Sequence, residues 1–333
     1  FLSRSKETEV TSDFSSAAAR FTDRAYAPRD PSKPNKKLIV VLAFVASFGF
    51  ALVMSLVFDA LNDTVKSKSD VESKIAQRMV GLLPHVPVPK KSVFPIHAYL
   101  DDNYRRFAES VRTFRTSLLL TQLERDHKVI VVTSSSPGEG KTTTSANLAM
   151  SLAQMGKVLL IDADLRKPSI AKRFDIPVFH PGLSNLIMGT EQFSECVHVD
   201  GQSGVAIMPS GQIPSNPLEL LSNARFNEVL EVLKSKYDHI IIDTPPTQAV
   251  SDALVISQSA DSVIYVVKSD VTRIKPIKAG IERLFEAKAY VAGIVLNQVD
   301  MSKTTDQHTH GYYGYYDYYD YYDYSQKTDK SKS

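Results

Sequence analysis

The chain has 333 residues, 43% hydrophobic and 23% charged. That is enough apolar material for a packed core and, at ~150 residues each, for about two domains. Its 39 basic and 37 acidic residues leave a formal net charge of +2, without the basic excess of a dedicated nucleic-acid binder. A single cysteine, Cys196, excludes an intrachain disulfide framework and a cysteine-ligated zinc cluster.

The chain opens on Phe1 rather than Met, and we read it as a piece of a longer protein. Residues 1–37 are polar and carry Pro28, Pro31 and Pro34. Proline forfeits a hydrogen bond inside a helix, so an extended, stiff approach is predicted there. Leu38 to Phe58 then runs for 21 residues without a charge. A helix rising ~1.5 Å per residue covers roughly 30 Å over that length, the thickness of a bilayer's hydrocarbon core. A transmembrane helix is therefore predicted over 38–58. Six basic residues precede it (Arg20, Arg24, Arg29, Lys33, Lys36, Lys37) and four follow closely (Lys66, Lys68, Lys74, Arg78). This count weakly favours an inside amino end. The nucleotide-type motifs below lie on the carboxyl side and outweigh it, because nucleotide is cytoplasmic. Residues 59–98, interrupted by Pro84, Pro87, Pro89 and Pro95, are predicted to be a juxtamembrane linker.

From 99 to 303 short apolar runs alternate with helical stretches. The strand-like runs are 128–133 (KVIVVT), 157–162 (KVLLID), 204–209 (GVAIMP), 238–243 (DHIIID), 261–268 (DSVIYVVK) and 291–297 (VAGIVLN). Helical patterns cover 142–155, 218–236 and 276–287. Continuous apolar strands between helices predict an α/β, doubly wound, mostly parallel sheet covered on both faces. The closing segment 304–333 contains GYYGYYDYYDYYDY at 311–324, nine of fourteen residues being tyrosine. It lacks aliphatic residues and a structural period, so a flexible, disordered tail is predicted.

Three motifs carry chemistry. Ser134-Ser135-Ser136-Pro137-Gly138-Glu139-Gly140-Lys141-Thr142 follows a strand and opens a helix, the setting of a phosphate-binding loop. Its backbone amides and the helix N-terminus face phosphate oxygens, Lys141 reaches the outer phosphates, and the Thr142 hydroxyl is a Mg²⁺ ligand. The first glycine of the usual G-x-x-x-x-G-K-[ST] pattern is replaced by Ser135. The second motif, ending in Asp162-Ala163-Asp164-Leu165-Arg166, places two carboxylates at the carboxyl end of a strand, the edge where nucleotides bind in such sheets. The third, Ile240-Ile241-Ile242-Asp243-Thr244-Pro245-Pro246, is an apolar strand ending in a candidate Mg²⁺ carboxylate.

Taken with the apolar span, the proline-rich entry, Glu109-x-x-Arg112-x-x-Arg115 and the tyrosine tail, this set resembles the bacterial tyrosine kinases of capsule and exopolysaccharide export. Their phosphate-loop domain is similar to the MinD/ParA ATPases. The resemblance covers about residues 28–324. It implies an ATP- and Mg²⁺-dependent autokinase of the bacterial inner membrane with a cytoplasmic kinase domain. Nucleotide contacts would come from Pro137, Gly138, Glu139, Gly140, Lys141, Thr142 and Thr143, with Asn297 as an adenine contact. Thr142, Asp164 and Asp243 would hold Mg²⁺, and Asp162 would accept the tyrosine proton. The substrates would be Tyr312, Tyr313, Tyr315, Tyr316, Tyr318, Tyr319, Tyr321, Tyr322 and Tyr324 of a neighbouring subunit. Glu109, Arg112 and Arg115 would contribute to a homo-oligomeric ring. The further partners implied are the polysaccharide polymerase and export machinery and a cognate tyrosine phosphatase, and no nucleic acid. Two other readings remain open. One is a MinD/ParA-type membrane-associated positioning ATPase, against which stands Ser136 where those proteins usually have a signature lysine; the other is a non-enzymatic membrane-anchored interaction protein, which would not need the Lys141, Thr142, Asp162, Asp164 and Asp243 set.

Overall fold

The computed structural model describes residues 33–61, 63–88, 93–121 and 128–301; the tyrosine cluster lies outside them. The chain divides into two units, Phe1–Asn62 and Asp63–Ser333.

The first unit contains helix α1, Lys36–Leu61. Leu42, Phe44, Phe48 and Leu52 are all exposed. The helix has no polar face, and among the described residues none of its side chains is buried, unlike those of a core helix in a globular domain. It is long and apolar enough to cross a membrane.

The second unit is built on one eight-stranded sheet in the order β1-β8-β7-β2-β6-β3-β5-β4. The strands are β1 (Met79–Pro84), β2 (Val129–Ser134), β3 (Val158–Asp162), β4 (His198–Val199), β5 (Ala206–Met208), β6 (His239–Asp243), β7 (Ser262–Lys268) and β8 (Val291–Val299). Every pairing is parallel except β4 with β5. Side chains alternate across the sheet with period two. Val131, Leu159 and Ile242 enter one core with Phe226, Leu230, Ile277 and Ile281. Ile130, Leu160 and Ile241 enter the other with Val111, Phe114, Leu148 and Leu152. The helices supplying those layers are α2 (Arg105–Thr121), α3 (Lys141–Ala153), α4 (Ile170–Arg173), α5 (Leu183–Met188), α6 (Pro217–Leu221), α7 (Ala224–Lys236), α8 (Asp252–Ser257) and α9 (Ile274–Glu286). The doubly wound architecture expected from the alternating pattern is the one found.

The stretch 59–98 is more than a linker. It supplies β1, buried along its whole length and paired with β8, and it sends Val65, Val71 and Ile75 into the core. Its prolines did not exclude a strand, because β1 is an edge strand and Pro84 is its last residue, positions where a missing N–H is tolerated. A Cβ at Gly81 would press on the Phe114 ring at 2.8 Å, so glycine is what lets β1 lie this close to α2. The helix predicted over 218–236 is two helices. Asn223 interrupts it, its side chain accepting from the Arg225 amide as the cap of α7. The short antiparallel strand β4 has no counterpart in the sequence pattern.

Candidate active site

β2 carries the chain to the phosphate loop and α3 carries it away. Gly138 and Gly140 take φ of 83° and 92°, the left-handed region that glycine enters at little cost. A Cβ at Gly140 would also collide with the Asn297 amide. Ser135 shows no such φ, which is why the loop tolerates a side chain where glycine is usual. The Ser135 hydroxyl accepts from the buried Tyr265 hydroxyl at 3.1 Å.

Glu139 folds back into the loop. Its carboxylate accepts from the Ser136 amide at 2.7 Å and from the Thr272 hydroxyl at 2.5 Å. Burial raises its pKa, against the pull of these hydrogen bonds. Asn297 was expected at the adenine, and in this structure its side chain also braces the loop. Its Nδ2 donates to the Glu139 carbonyl at 2.8 Å, and its Oδ1 accepts from the Gln298 amide at 2.9 Å. The space left by the missing Cβ of Gly140 is what admits it.

The carboxylates meet because β3 and β6 are parallel neighbours in register, Asp162 opposite Asp243. Thr142 Oγ1 donates to Asp243 Oδ2 at 2.6 Å and Ser145 Oγ donates to Asp243 Oδ1 at 3.1 Å. Asp162 is fully buried. Its Oδ2 accepts from the Ser169 and Ile170 amides at 3.0 and 2.9 Å, and its Oδ1 accepts from the Asp164 amide at 3.2 Å. Those bonds shape the loop from Asp164 to α4. Asp164 itself is half-buried, with Oδ1 accepting from the Lys167 amide at 3.0 Å. Arg166 turns to α8, where it grips the buried Asp252 through two bonds of 2.8 and 3.0 Å.

Burial pushes the Asp162 carboxyl up to about 7, with the Asp243 charge adding to the effect. Burial also pushes Asp243 up to about 6, opposed by the Lys141 charge and the two hydroxyls. Both groups bind a proton more tightly folded than unfolded, where aspartate titrates near ~3.9. Their contribution to stability is complete below about pH 4 and is lost as pH rises through about 6 to 7. Thermal unfolding of the nucleotide-free chain should therefore move to lower temperature between pH 5 and pH 8, less so in Asp162→Asn. Equal pH profiles for the two proteins, followed by circular dichroism, would refute this account.

Glu109, Arg112 and Arg115 lie on α2, while the nine predicted tyrosines lie outside the described residues. Arg112 Nη1 donates to Glu109 Oε2 at 2.9 Å, and its guanidinium carbon sits 5.5 Å from the Tyr99 ring centroid. Arg115 is turned inward, donating to the Ser151 carbonyl of α3 at 2.6 Å. Glu109 and Arg112 form an ion pair at the surface, while Arg115 fastens α2 to the phosphate-loop helix.

Residues 127–291 match the family model of the AAA domain. The tyrosine-protein kinase YwqD of Bacillus subtilis (strain 168) is 37% identical over 207 residues, covering 62% of this chain and 86% of that protein. The chain belongs to the bacterial tyrosine kinases. The kinase domain of the Escherichia coli tyrosine kinase Etk has the same fold, with a TM-score of 0.66 at 30% identity over 73% of this chain and 98% of that one. The tyrosine-protein kinase Ptk of Acinetobacter johnsonii is 30% identical over 292 residues, 85% of this chain. That match is 40% of Ptk, so the chain spans about two-fifths of the length of this curated kinase.

Two side chains at this site, one tyrosine and one arginine, were not predicted from the sequence. Tyr265 and Arg173 reach the loop and its helix from β7 and α4, and neither stands in a motif.

Proposed function

We propose that this chain is the catalytic part of an ATP- and Mg²⁺-dependent protein-tyrosine autokinase that phosphorylates Tyr312–Tyr324 of a neighbouring subunit. The carrying observation is the convergence of Lys141, Thr142, Asp162, Asp164 and Asp243 at one helix N-terminus, in a chain with nine tyrosines between 311 and 324.

The residues fit a magnesium nucleotide. The first turn of α3 has no acidic residue to compete with an anion. The Thr142 hydroxyl and Asp243 carboxylate lie 2.6 Å apart, a pair of hard oxygen donors suited to Mg²⁺. Magnesium, when bound, neutralises charge building on the phosphates. Lys141 and the loop amides hold the phosphates in place and offset the same charge. A free tyrosine has a pKa of about 10, so attack needs a proton acceptor. Asp162, pushed up to about 7, has the proton affinity for that role. Three amides occupy its oxygens, leaving about one of roughly four acceptor positions open. Asp164 stands beside it as a metal carboxylate.

In the same proposal α1 anchors the protein in the inner membrane with the second unit in the cytoplasm. The enzyme acts on the polysaccharide polymerase and export machinery, and a cognate phosphatase resets it. A reporter active only in the cytoplasm, fused after Ser333, should be active; activity of a periplasmic reporter there instead overturns the placement. The reaction is tested by mapping phosphosites after incubation with ATP and Mg²⁺. Phosphate on several residues of the 312–324 cluster is expected, and an unlabelled cluster refutes the autokinase.

A further inference from the structure

Four hydroxyl side chains crowd the start of α3. Thr142 donates to Asp243 at 2.6 Å and Thr144 to the Gly140 carbonyl at 3.0 Å, while Ser145 shares its one proton between the Lys141 carbonyl at 2.9 Å and Asp243 at 3.1 Å. Thr143 differs. Its oxygen accepts from Arg173 Nη1 at 2.7 Å, and among the described residues no acceptor takes its own proton. A hydroxyl has one proton and two lone pairs. With a guanidinium donating to the oxygen, the O–H must point away from Arg173. Thr143 is half-buried in the first turn, where helix amides converge on an anion. Its proton is thus left for an acceptor outside the protein.

Arg173 is held firmly enough to impose this. It is the last residue of α4, and α4 is fixed by the Asp162 carboxylate accepting from the Ser169 and Ile170 amides. The other end of its guanidinium, Nη2, donates to the Phe94 carbonyl at 2.8 Å. The Phe94 ring packs edge-on against Tyr104 and Phe107, with centroids 5.5 and 5.1 Å apart. Among the described residues Arg173 donates no hydrogen bond to a carboxylate, although the Asp243 charge acts on it. A planar fork clamped at both ends is a better orienting group than a flexible ammonium.

We infer that Arg173 is a positioning residue of the nucleotide site, fixing the Thr143 hydroxyl as a donor to a phosphate oxygen of the nucleotide. This rests on the phosphate-loop reading above and adds to it a residue outside every motif. No bond is made or broken in this role; Arg173 acts through the Thr143 hydroxyl.

The test is titration of the full chain in detergent with a fluorescent ADP analogue and Mg²⁺, beside steady-state kinetics. A hydrogen bond to a charged group is worth ~1.5–3 kcal/mol, so Thr143→Val and Arg173→Met should each weaken nucleotide binding about tenfold or more. Thr143→Ser keeps the hydroxyl and should bind like the parent. Arg173→Lys keeps one donor and should fall between parent and Arg173→Met. The double variant Arg173→Met/Thr143→Val should bind little worse than Thr143→Val, since there is no hydroxyl left to orient. KM for ATP should rise with kcat within about twofold, the pattern of lost ground-state binding. Parent-like affinity in Arg173→Met overturns the inference, and so do additive losses in the double variant. Arg173→Met also strips Phe94 of a donor, so Thr143→Val and Arg173→Lys keep the test decisive if that variant misfolds. Failure of tail labelling in the parent would sink the kinase reaction and leave the nucleotide titration readable.

Discussion

Lys141→Met is expected to stop incorporation of phosphate into the tyrosine cluster while the domain stays folded. Lys141 is the first residue of α3, and it is buried. Its charge opposes the burial that raises Asp243. Removing it takes away the Lys141 charge that opposes Asp243, at the point where phosphate charge must be held. Methionine keeps most of the aliphatic stem, so the packing contribution of the lysine is largely retained. Loss of one preorganised charge-stabilising group costs roughly 10²–10³ in rate, and transfer should fall by at least that much. Radiolabel from ATP measures the transfer and circular dichroism the fold. A variant that labels its tyrosines at the parent rate would mean that Lys141 does not hold the transferred phosphate.

Much of this site could be read directly from short strings, because strand–loop–helix chemistry is local. Lys141, Thr142, Asp162, Asp164 and Asp243 each stand at an element boundary that their own neighbours dictate, and parallel pairing of β3 with β6 then brings the carboxylates together. The parts that were not legible depend on distant partners. β1 is Met-Val-Gly-Leu-Leu-Pro, with one β-branched residue and a central glycine, and it is a strand because β8, some two hundred residues later, offers it an edge. Asn297 sits at the end of an apolar run, which suggests a ligand contact, but its brace on the loop, through a gap that only Gly140 provides, has no local signal. Arg115 follows Glu109 and Arg112 at helical spacing, but each step of three residues rotates ~60° short of a full turn, enough to carry it round to α3. Arg166 and Asp252 are 86 positions apart, so nothing local couples them. The break at Asn223 was the exception: a capping residue six positions after Pro217 is a local signal for two helices.

The second large effect is expected in assembly. Dephosphorylated protein should form a closed oligomer and heavily phosphorylated protein should be monomeric. The Glu109–Arg112 pair is at the surface of α2, on the segment expected to face a neighbouring subunit. Transfer in trans needs the 312–324 segment of one subunit at the carboxylate site of the next. Each phosphate adds about −1.5 to −2 charge at neutral pH. Four or five of them would add roughly −6 to −10 to a segment that already contains Asp317, Asp320 and Asp323. Such a segment is repelled by Asp162, Asp164 and Asp243, and by its equivalents around the oligomer, so product formation undoes the arrangement that made it. Reversing the charge in Arg112→Glu would set Glu109 and the new carboxylate side by side, and that variant should stay monomeric even when dephosphorylated. Sedimentation of detergent-solubilised protein before and after phosphatase treatment reads both effects. An unchanged distribution would remove the switch, one that shrinks on dephosphorylation would reverse its sign, and an Arg112→Glu oligomer would move the interface off α2.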